Sequence, residues 1–561
     1  MSRIVGIDLG TSTSEIACII DGEPVIIPNS LGSKVTPSIV HIAEDGTRLV
    51  GEAAAEYLFT RPDCTFMEVK RLTGSGTALK AHGKEYQPED LQAILLRYLA
   101  GCAEVHLGER IDRAVVTVPA YFTDVQRRAT ARAGELAGLK VERILNEPTA
   151  AAMDYGLQNF GECQNILVYD FGGGTLDVTV LELFEGVIDV KASCGNNHLG
   201  GKDFDEIIMR NLIDTKNNMR AQMRLKKAAE ECKIALSTQE SYEIALPFLM
   251  TGKKGEPVSL EKTVTREEFE DWIRDKVEST LDPMMLALDD AGLKPSDLDA
   301  VLLVGGSTRI PCVKKLVEDT LGIEAKSLLD PDLAVARGAA VQAGIMDGVF
   351  ASGKELILTD VCPYTLGIAC MTDGYFSDTL AFSPIIHRNT TIPAERSNIY
   401  TTYEDYQTVV KIEAYQGDSI DIDNNEFLGE VKLTDIPRAK RGKEPIEVTF
   451  SYDMNGILQV KARIVSTQGQ VTAEINTAGV KPREAPDITK WEEADGARRC
   501  RPVIRKAERY IKDQPVYADD IGKYVTRIKE ALVLGDTERA DSWRDALLAI
   551  LDILDEDGDK P

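Results

Sequence analysis

Two stretches of this chain repeat one pattern. Ile4-Val-Gly-Ile-Asp8-Leu-Gly10-Thr-Ser-Thr-Ser-Glu-Ile-Ala returns in kind as Ile166-Leu-Val-Tyr-Asp170-Phe-Gly172-Gly-Gly-Thr-Leu-Asp-Val-Thr. Each reads as a strand, an acidic residue, a glycine turn and a second strand. A unit that recurs at this distance must be housed twice, so the repeat predicts two related lobes facing each other. Each lobe would offer one aspartate and one glycine-rich hairpin. Around them, residues 1–350 alternate short β-rich runs with helical stretches. Strand-like Ala114–Val118 precedes helical Val125–Leu136, and Ala300–Val304 precedes Val313–Leu321. That alternation predicts an α/β region.

The pattern then changes. Residues 361–478 alternate with a period of two, as in Ile446-Glu-Val-Thr-Phe-Ser-Tyr and Ile457-Leu-Gln-Val-Lys-Ala-Arg-Ile. Asn455-Gly456 between these runs signals a hairpin, and the block predicts an antiparallel β domain. Between the two regions, Gly353-Lys-Glu-Leu-Ile-Leu-Thr-Asp360 reads as an edge strand or a linker. Pro482 and Pro486 break the chain after the β block, and Pro502 and Pro515 divide the remainder. One helical stripe there runs through Ile521, Tyr524, Val525, Ile528 and Leu532. Another runs through Trp543, Leu547, Leu551 and Leu554, before an acidic tail at 555–561. Each stripe covers about 15 residues, or about 20–25 Å of helix.

Composition narrows the function. The 561 residues allow several folding units and a large core that needs no disulfide or metal. Asp plus Glu number 91 against 64 Lys plus Arg, a net charge of −27 that repels phosphate backbones and acidic membranes. Nucleic acid and membrane are therefore not expected as partners. The ten cysteines form no C-x-x-C pair, which argues against a zinc ribbon or redox dithiol and fits a cytoplasmic setting. No apolar run is long enough to predict a membrane-crossing helix.

The glycine turns have a chemical use. Successive N–H groups in a tight turn make an anion nest, and glycine lets backbone approach a phosphate closely. The turns open into strands and lack the lysine of a Walker loop. Either hairpin alone could be ordinary; two at mirrored positions point to phosphate. Facing Asp8 and Asp170 would suit a hydrated Mg²⁺ shared with substrate phosphates. Val301-Leu-Leu-Val-Gly305-Gly306-Ser307-Thr-Arg309-Ile-Pro311 reads as a buried strand, a glycine pair and a helix. It suits a nucleoside at a helix start or is a plain strand–helix turn. Asn146-Glu147-Pro148-Thr149 is a helix start or a carboxylate aimed into the cleft. Met67-Glu-Val-Lys70-Arg71 carries two bases, and nothing local singles out Lys70.

In this order the motifs resemble the 70-kDa heat-shock chaperone family. Matching stretches are Gly6–Ser14, Val118–Phe122, Asn146–Ala151, Asp170–Thr179, Gly305–Pro311 and Asp330–Ala340, with Asn389–Pro393 and Ile446–Leu458 in the β block. The likeness covers about residues 1–480, and the short tail is most similar to that of the short-lid bacterial paralogue HscC. The resemblance implies a two-lobed, actin-like α/β ATPase domain, then an antiparallel β-sandwich and a short helical C-terminal segment. Its boundaries would be 1–354 for the nucleotide-binding domain, 355–360 for the linker, 361–480 for the peptide-binding domain and 481–561 for a short helical, lid-like segment.

Site residues follow from the resemblance alone. Asp8, Gly10, Thr11 and Ser12 match the first phosphate loop, and Gly172, Gly173, Gly174 and Thr175 the second. Lys70 matches the base that positions the attacking water, while Glu147, Asp170 and Asp8 match the acidic set around Mg²⁺, with Thr175 in the catalytic group. Asp8, Asp170 and Asp177 are the implied metal ligands, Asp177 near a K⁺ site. Gly200, Gly201 and Asp203 match the loop nearest the phosphates on the other lobe. Glu230, Lys233, Ser237, Gly305, Gly306, Ser307, Arg309 and Asp332 match the adenosine pocket. Ile368, Tyr400, Val410 and Ile412 match a central apolar peptide pocket, with Met371 and Tyr403 arching over it; taken alone, these are alternating core positions. Implied cofactors are ATP or ADP, Mg²⁺ and K⁺. Implied partners are extended or unfolded polypeptides, a J-domain co-chaperone, for which Arg143, Asn146 and Asp360 match docking and linker positions, and a nucleotide exchange factor.

Some positions depart from the family. Gly195-Asn-Asn-His-Leu-Gly-Gly-Lys202-Asp203 stands where the family reads Gly-Asp-Thr-His-Leu-Gly-Gly-Glu-Asp. The change is expected to remove two carboxylates from beside the phosphates and to bring a cation there. The reading is an ATP-dependent chaperone that binds extended apolar segments. Its alternatives are a variant dedicated to one client, a small-molecule kinase of the actin-like superfamily and a polymerising filament protein. The last two leave 361–561 unexplained.

Overall fold

The computed structural model describes residues 2–215, 218–251, 256–327, 330–350, 356–372, 379–419, 422–467, 470–474, 491–492, 494–513, 518–533, 535 and 537–558. The linker start at 353–355, Pro482, Pro486, Pro515 and the side chain of Leu554 lie outside the described residues. The chain divides into two compact units, Met1–Val480 and Lys481–Pro561.

The sequence repeat becomes a repeat of topology. In the first sheet, strands run in the order Lys140–Asn146, Arg113–Val118, Ile4–Leu9, Thr13–Ile20, Glu23–Ile26. In the second, the order is Lys326–Ser327, Ala300–Val304, Cys163–Phe171, Leu176–Phe184, Val187–Asn196. Both pair the strand before the glycine turn in parallel on one side and in antiparallel with the strand after the turn on the other. The central strands Ile4–Leu9 and Ala300–Val304 are buried along their whole length, as parallel strands covered on both faces must be.

Two alanine-rich helices, Glu147–Gln158 and Ala334–Asp347, join these sheets. Their contact is made by backbone. A Cβ on Gly338 would fall 1.7 Å from the carbonyl oxygen of Ala150, so no other residue lets the helices approach this closely. Ala150, Ala151, Ala339 and Ala343 fill the same core with Val168, Leu302 and Val304 of the second sheet.

The strand Ile357–Val361 continues the second sheet. It pairs in parallel with Val187–Asn196 through Val187 and Ile357, Ile188 and Leu358, Asp189 and Thr359. On its far side it pairs with Thr391–Ile392. The segment read as an edge strand or a linker is thus a strand, but with a partner on each side it does not lie at the sheet's edge. Leu356 is buried in the helix–sheet core, whereas Ile357 is exposed.

Beyond it lie two four-stranded antiparallel sheets with a shared core. One runs Thr379–Ile386, Leu366–Thr372, Val410–Gln416, Glu426–Leu433, and the other Ala394–Thr401, Pro445–Tyr452, Leu458–Ile464, Gln470–Glu474. Ile446, Val448, Phe450 and Tyr452 point inward and alternate with half-buried residues, as the period of two requires. The Asn455-Gly456 signal falls in the turn between the second and third strands of this sheet, where Gly456 has φ 71°.

The second unit corrects the sequence reading. Three helices, not two, are present among the described residues: Ala497–Asp513, Ala518–Val533 and Thr537–Gly558. Pro502 does not divide the first of them. It costs one hydrogen bond near the helix start, but Cys500, Ile504 and Ala507 are buried against Ile521, Ile528, Leu532 and Leu547 in one core. Among the described residues, no helix is long and apolar enough to cross a membrane.

Candidate functional site

The two glycine hairpins meet at their tips. A Cβ on Gly173 would lie 2.6 Å from Ser12 Oγ, and one on Gly174 would lie 3.1 Å from Thr11 Oγ1. Together they line a cavity of about 840 Å³. Gly305 forms another part of the wall at φ 80°, where a Cβ would come within 2.6 Å of the Phe171 carbonyl oxygen. Ser307 Oγ donates to the carbonyl of Gly172 at 2.7 Å, which ties that turn to the second hairpin.

A buried lysine sits among the acids. Lys70 lies in the short 3₁₀ turn Val69–Leu72, is 6% exposed and ion-pairs with Glu147, the first residue of its helix. Burial works against its charge, but Glu147, Asp8 and Asp170 outweigh it and raise its pKa above the usual lysine value. Asp8 Oδ1 accepts from Thr117 Oγ1 at 2.8 Å, and burial together with Glu147 pushes its carboxyl up to about 7. Burial, then Glu147 and Asp177, holds Asp170 well above the ordinary carboxylate range. Asp177 Oδ1 accepts from the N–H of Tyr121 at 3.0 Å, and burial lifts this carboxyl to about 7.

Most residues implied by the resemblance line this cavity: Asp8, Gly10, Thr11, Ser12, Lys70, Glu147, Asp170, Gly172, Gly173, Thr175, Gly201, Glu230, Lys233, Ser237, Gly305, Gly306, Ser307, Arg309 and Asp332. Lys233 pairs with Asp205 at 2.7 Å and donates to the Gly201 carbonyl at 2.9 Å, while burial lowers its pKa. Arg309 holds Asp332 at 2.6 Å. Four stand behind the wall. Gly174 packs on Thr11, and Gly200 packs on the backbone of Gly173 and Gly174. Asp203 accepts from the Gly200 N–H at 2.7 Å and from Arg71 at 3.2 Å. Asp177 is the cross-strand neighbour of Asp170.

The departures at 196, 197 and 202 behave differently from expectation. Lys202 does not face this cavity. Its Nζ lies 2.5 Å from Glu230, 3.7 Å from Glu68 and 3.8 Å from Asp205, and it lines a neighbouring cavity of about 290 Å³. Asn197 donates to the Tyr121 carbonyl at 2.5 Å, and Asn196 Oδ1 accepts from the His198 N–H at 2.8 Å. The helix beginning at Gly201 turns Lys202 away, a direction that spacing alone does not fix. Sequence reasoning also passed over Glu15, which is buried and lines the main cavity. The signal for it was present: it stands opposite Asp8 as Asp177 stands opposite Asp170.

A second cavity, of about 1290 Å³, opens among the β strands. Ile368, Met371, Tyr400, Tyr403, Val410 and Ile412 all line it, with Ile446 and Val448 from the facing sheet. Tyr400 and Ser383 share a hydroxyl hydrogen bond of 3.0 Å, and the Arg441 guanidinium lies 4.4 Å from the centre of the Tyr403 ring. The trough is apolar along its floor, with Lys411, Glu413 and Lys432 also in its wall.

The Hsp70 protein family matches residues 4–80 and 75–513. The chain belongs to the Hsp70 family. Over 509 residues it is 44% identical to the proteins named Chaperone protein DnaK of Thermotoga petrophila and Thermotoga maritima, covering 88% of this chain and 84% of theirs. The family match runs past the β sheets and through the first helix of the second unit.

In this Hsp70 chain the cleft and the trough occupy one compact unit, joined by direct contacts. Arg128 donates to the Leu458 carbonyl at 2.6 Å, and the Leu458 N–H donates to Asp124 at 2.8 Å. The Ile144 N–H donates to Asn455 at 3.0 Å, while Arg388 and Asn389 both hold Asp290, at 2.7 and 2.9 Å. Asn146 and Thr149 donate to Asp360 at 3.0 and 3.3 Å. Arg143 donates to Gln342 at 3.1 Å; burial lowers its pKa and the charge of Asp360 opposes that. The Hsp70 cleft also fits the nucleotide and cation that its family uses. A Cβ on Gly10 would fall 2.1 Å from the Thr13 carbonyl oxygen and one on Gly305 2.6 Å from that of Phe171, so these turns need glycine, which lets backbone approach a phosphate closely. Glu15 Oε1 and Asp177 Oδ2 are buried oxygens with no hydrogen-bond partner, the kind of donor set that hard cations take.

Proposed function

We propose that this Hsp70 chain couples ATP hydrolysis in the cleft between its two hairpins to the hold of its β trough on extended apolar segments. As a family member closely similar to DnaK chaperones, it is an ATP-dependent molecular chaperone and an ATPase. The finer layout is a two-lobed, actin-like nucleotide-binding domain to about 354, a linker at 355–360, a β-sandwich to about 480 and a short helical segment beyond it.

The observation that carries the cleft assignment is the buried Lys70–Glu147 pair at the meeting of both glycine turns. Hydrolysis of a phosphoanhydride by water needs positioning and charge neutralisation, and little covalent chemistry. The turns at Gly10–Ser12 and Gly172–Thr175 would cradle the phosphates with backbone N–H groups. Asp8 and Asp170 would hold Mg²⁺ through its water shell, and the ion would neutralise charge on the transferring group. Lys70, kept charged by Glu147, would orient the attacking water and face the terminal phosphate. Glu147 would accept that water's proton. Glu230, Lys233, Ser237, Gly306, Arg309 and Asp332 would seat the nucleoside. Asp177 would serve a K⁺ ion beside the Mg²⁺.

Ile368, Tyr400, Val410 and Ile412 would take an apolar side chain of the client, under an arch of Met371 and Tyr403. Arg143, Asn146 and Asp360 would form part of a J-domain docking region, and an exchange factor would act on the cleft. Ten unpaired thiols support a reducing, cytoplasmic setting. Purified protein with Mg²⁺·ATP should release phosphate into water and bind extended apolar peptides. Phosphorylation of a small-molecule acceptor, with no peptide bound in any nucleotide state, would instead favour a kinase.

A further inference from the structure

The β trough carries a charge pattern that its apolar floor does not need. Leu366–Thr372 and Val410–Gln416 pair with each other only at Leu366 with Gln416, Gly367 with Tyr415 and Ile368 with Ala414. Past that point the two strands part, and residues 369–371 on one side and 410–413 on the other line the gap. Three cations, Lys411, Lys432 and Arg441, stand in the wall against one acid, Glu413. This is a local excess of positive charge on a chain whose net charge is −27.

The cations are set against one another rather than against acids. Lys411 and Lys432 stand directly opposite across two antiparallel strands, and on the next rung of that face Glu413 stands opposite Glu430. Like charges directly opposite repel, so the pattern costs stability unless something else neutralises it. Lys411 reaches diagonally to Glu430 at 3.4 Å, and Glu413 accepts from the Tyr415 hydroxyl at 2.9 Å. Lys432 is exposed, and its ammonium has no ion-pair or hydrogen-bond partner among the described residues. On the arch side, the Arg441 guanidinium lies over the Tyr403 ring, and its backbone N–H donates to Asp405 at 2.8 Å. Arg441 belongs to the run Arg438-Ala-Lys-Arg-Gly-Lys443, whose four cations are all exposed and which contains no acid.

We propose that the trough selects apolar segments flanked by Asp or Glu, with Lys432 the principal determinant and Arg441 the second. The proposal rests on the reading of the trough as the site for extended segments. Charges act over a Debye length of about 8 Å at about 0.15 M salt, so most of the chain's negative field is screened there and the wall cations dominate. An extended segment advances about 3.3 Å per residue, which puts the favoured carboxylates within about two or three residues of the buried apolar side chain. Arg441 suits a carboxylate because its guanidinium is planar and presents paired donors, while Lys432 acts as a point charge. Both contacts are exposed, so each contributes modestly and both weaken with salt.

The test uses the full chain with Mg²⁺·ADP and short peptides that share one leucine core, carry an uncharged fluorophore and differ only in flanks of Asp, Ser or Lys. Affinities are read by fluorescence anisotropy. At about 0.15 M salt the Asp-flanked peptide should bind at least about threefold tighter than the Ser-flanked one, and the Lys-flanked peptide weakest of the three. At about 1 M salt, where the Debye length is about 3 Å, the three should converge. Lys432→Glu should reverse the order, so that the Lys-flanked peptide binds tighter than the Asp-flanked one; that gain also shows the variant to be folded. Equal affinities at the lower salt, a preference for Lys flanks, or an order that Lys432→Glu leaves unchanged would overturn the charge selection and leave the trough reading intact. Failure of all three peptides to bind, or binding that Val410→Asp does not weaken, would overturn the trough reading and this selection together.

Discussion

Asn146 donates from Nδ2 to Oδ2 of Asp360 at 3.0 Å, while the next residue in the chain, Glu147, holds Lys70 in the wall of the cleft between the two glycine hairpins. One peptide bond therefore separates the cleft's buried ion pair from the anchor of the strand Ile357–Val361. A change of charge or geometry around Glu147 has a short mechanical route to that strand. A ligand shifts such an element only through different contacts with its docked and released forms, and this anchor supplies one.

Removing the anchor should release the strand. Asp360→Ala leaves the Asn146 amide and the Thr149 hydroxyl buried without their acceptor, which costs on the order of 1–3 kcal/mol. Limited proteolysis should then cut within 356–361 at least about fivefold faster than in the wild type. Equal cutting rates would mean that backbone pairing with Val187–Asn196 suffices to hold the strand.

The same carboxyl gives docking a pH dependence. Burial raises the pKa of Asp360 above the usual aspartate range, against the opposing pull of the Val361 N–H, Arg127 and Arg143. When docked it therefore keeps a proton that the released strand gives up at the same pH. Docking should tighten as pH falls through the raised pKa toward the ordinary aspartate value, and slacken as pH rises. Cutting at 356–361, taken as the ratio of wild type to Asp360→Asn at each pH, should fall from neutral pH to about 5. A ratio independent of pH would contradict the linkage.

Lys70→Ala tests the chemistry. It removes a buried cation set among Asp8, Glu147 and Asp170. Loss of a group that positions or neutralises the transition state costs about 100- to 1000-fold in turnover. ADP affinity should change by less than about tenfold, or 1.4 kcal/mol. Single-turnover hydrolysis and calorimetry separate the two, and full turnover by the variant would remove Lys70 from the mechanism.

Lys202 makes a different kind of contribution. Its ammonium lies among Glu230, Asp205 and Glu68, and Glu68 belongs to the chain just before Lys70. Burial disfavours the charge, but the three acids more than offset it and raise the lysine's pKa. Lys202→Glu would place a fourth acid in this cluster, with Lys226 alone left on Glu68 at 2.8 Å. Breaking buried pairing of this kind costs several kcal/mol, so a labelled ADP should dissociate at least about tenfold faster. An unchanged off-rate would show that the cluster has no hold on cleft closure.

Much of this was legible in the sequence because it depends on short-range pattern. Asp8–Gly10 and Asp170–Gly172 declare their turns locally, and the period-two run Ile446–Tyr452 declares its buried face. What stayed hidden depends on direction and on neighbours far away in the chain. Lys202 sits beside a phosphate-loop motif, yet the helix at Gly201 turns it toward Glu230. Pro502 signals a break, yet the core around Cys500 and Ile504 carries the helix through it. Glu15 follows a hydroxyl run and looks like a polar member of an alternating strand. Its meaning appears once register sets it opposite Asp8.

The central claim is that the nucleotide cleft governs the β trough. Its most direct test is the release rate of a fluorescent, extended apolar peptide from the full chain on addition of Mg²⁺·ATP, compared with Mg²⁺·ADP. Val410→Asp, which puts a charge in the trough wall, serves as the control for specific binding. The expected result is peptide release at least about tenfold faster with ATP, carried mainly by k_off, with little specific binding by Val410→Asp. Identical release in ATP and ADP, from a trough that Val410→Asp does empty, would contradict the account and leave two independent modules.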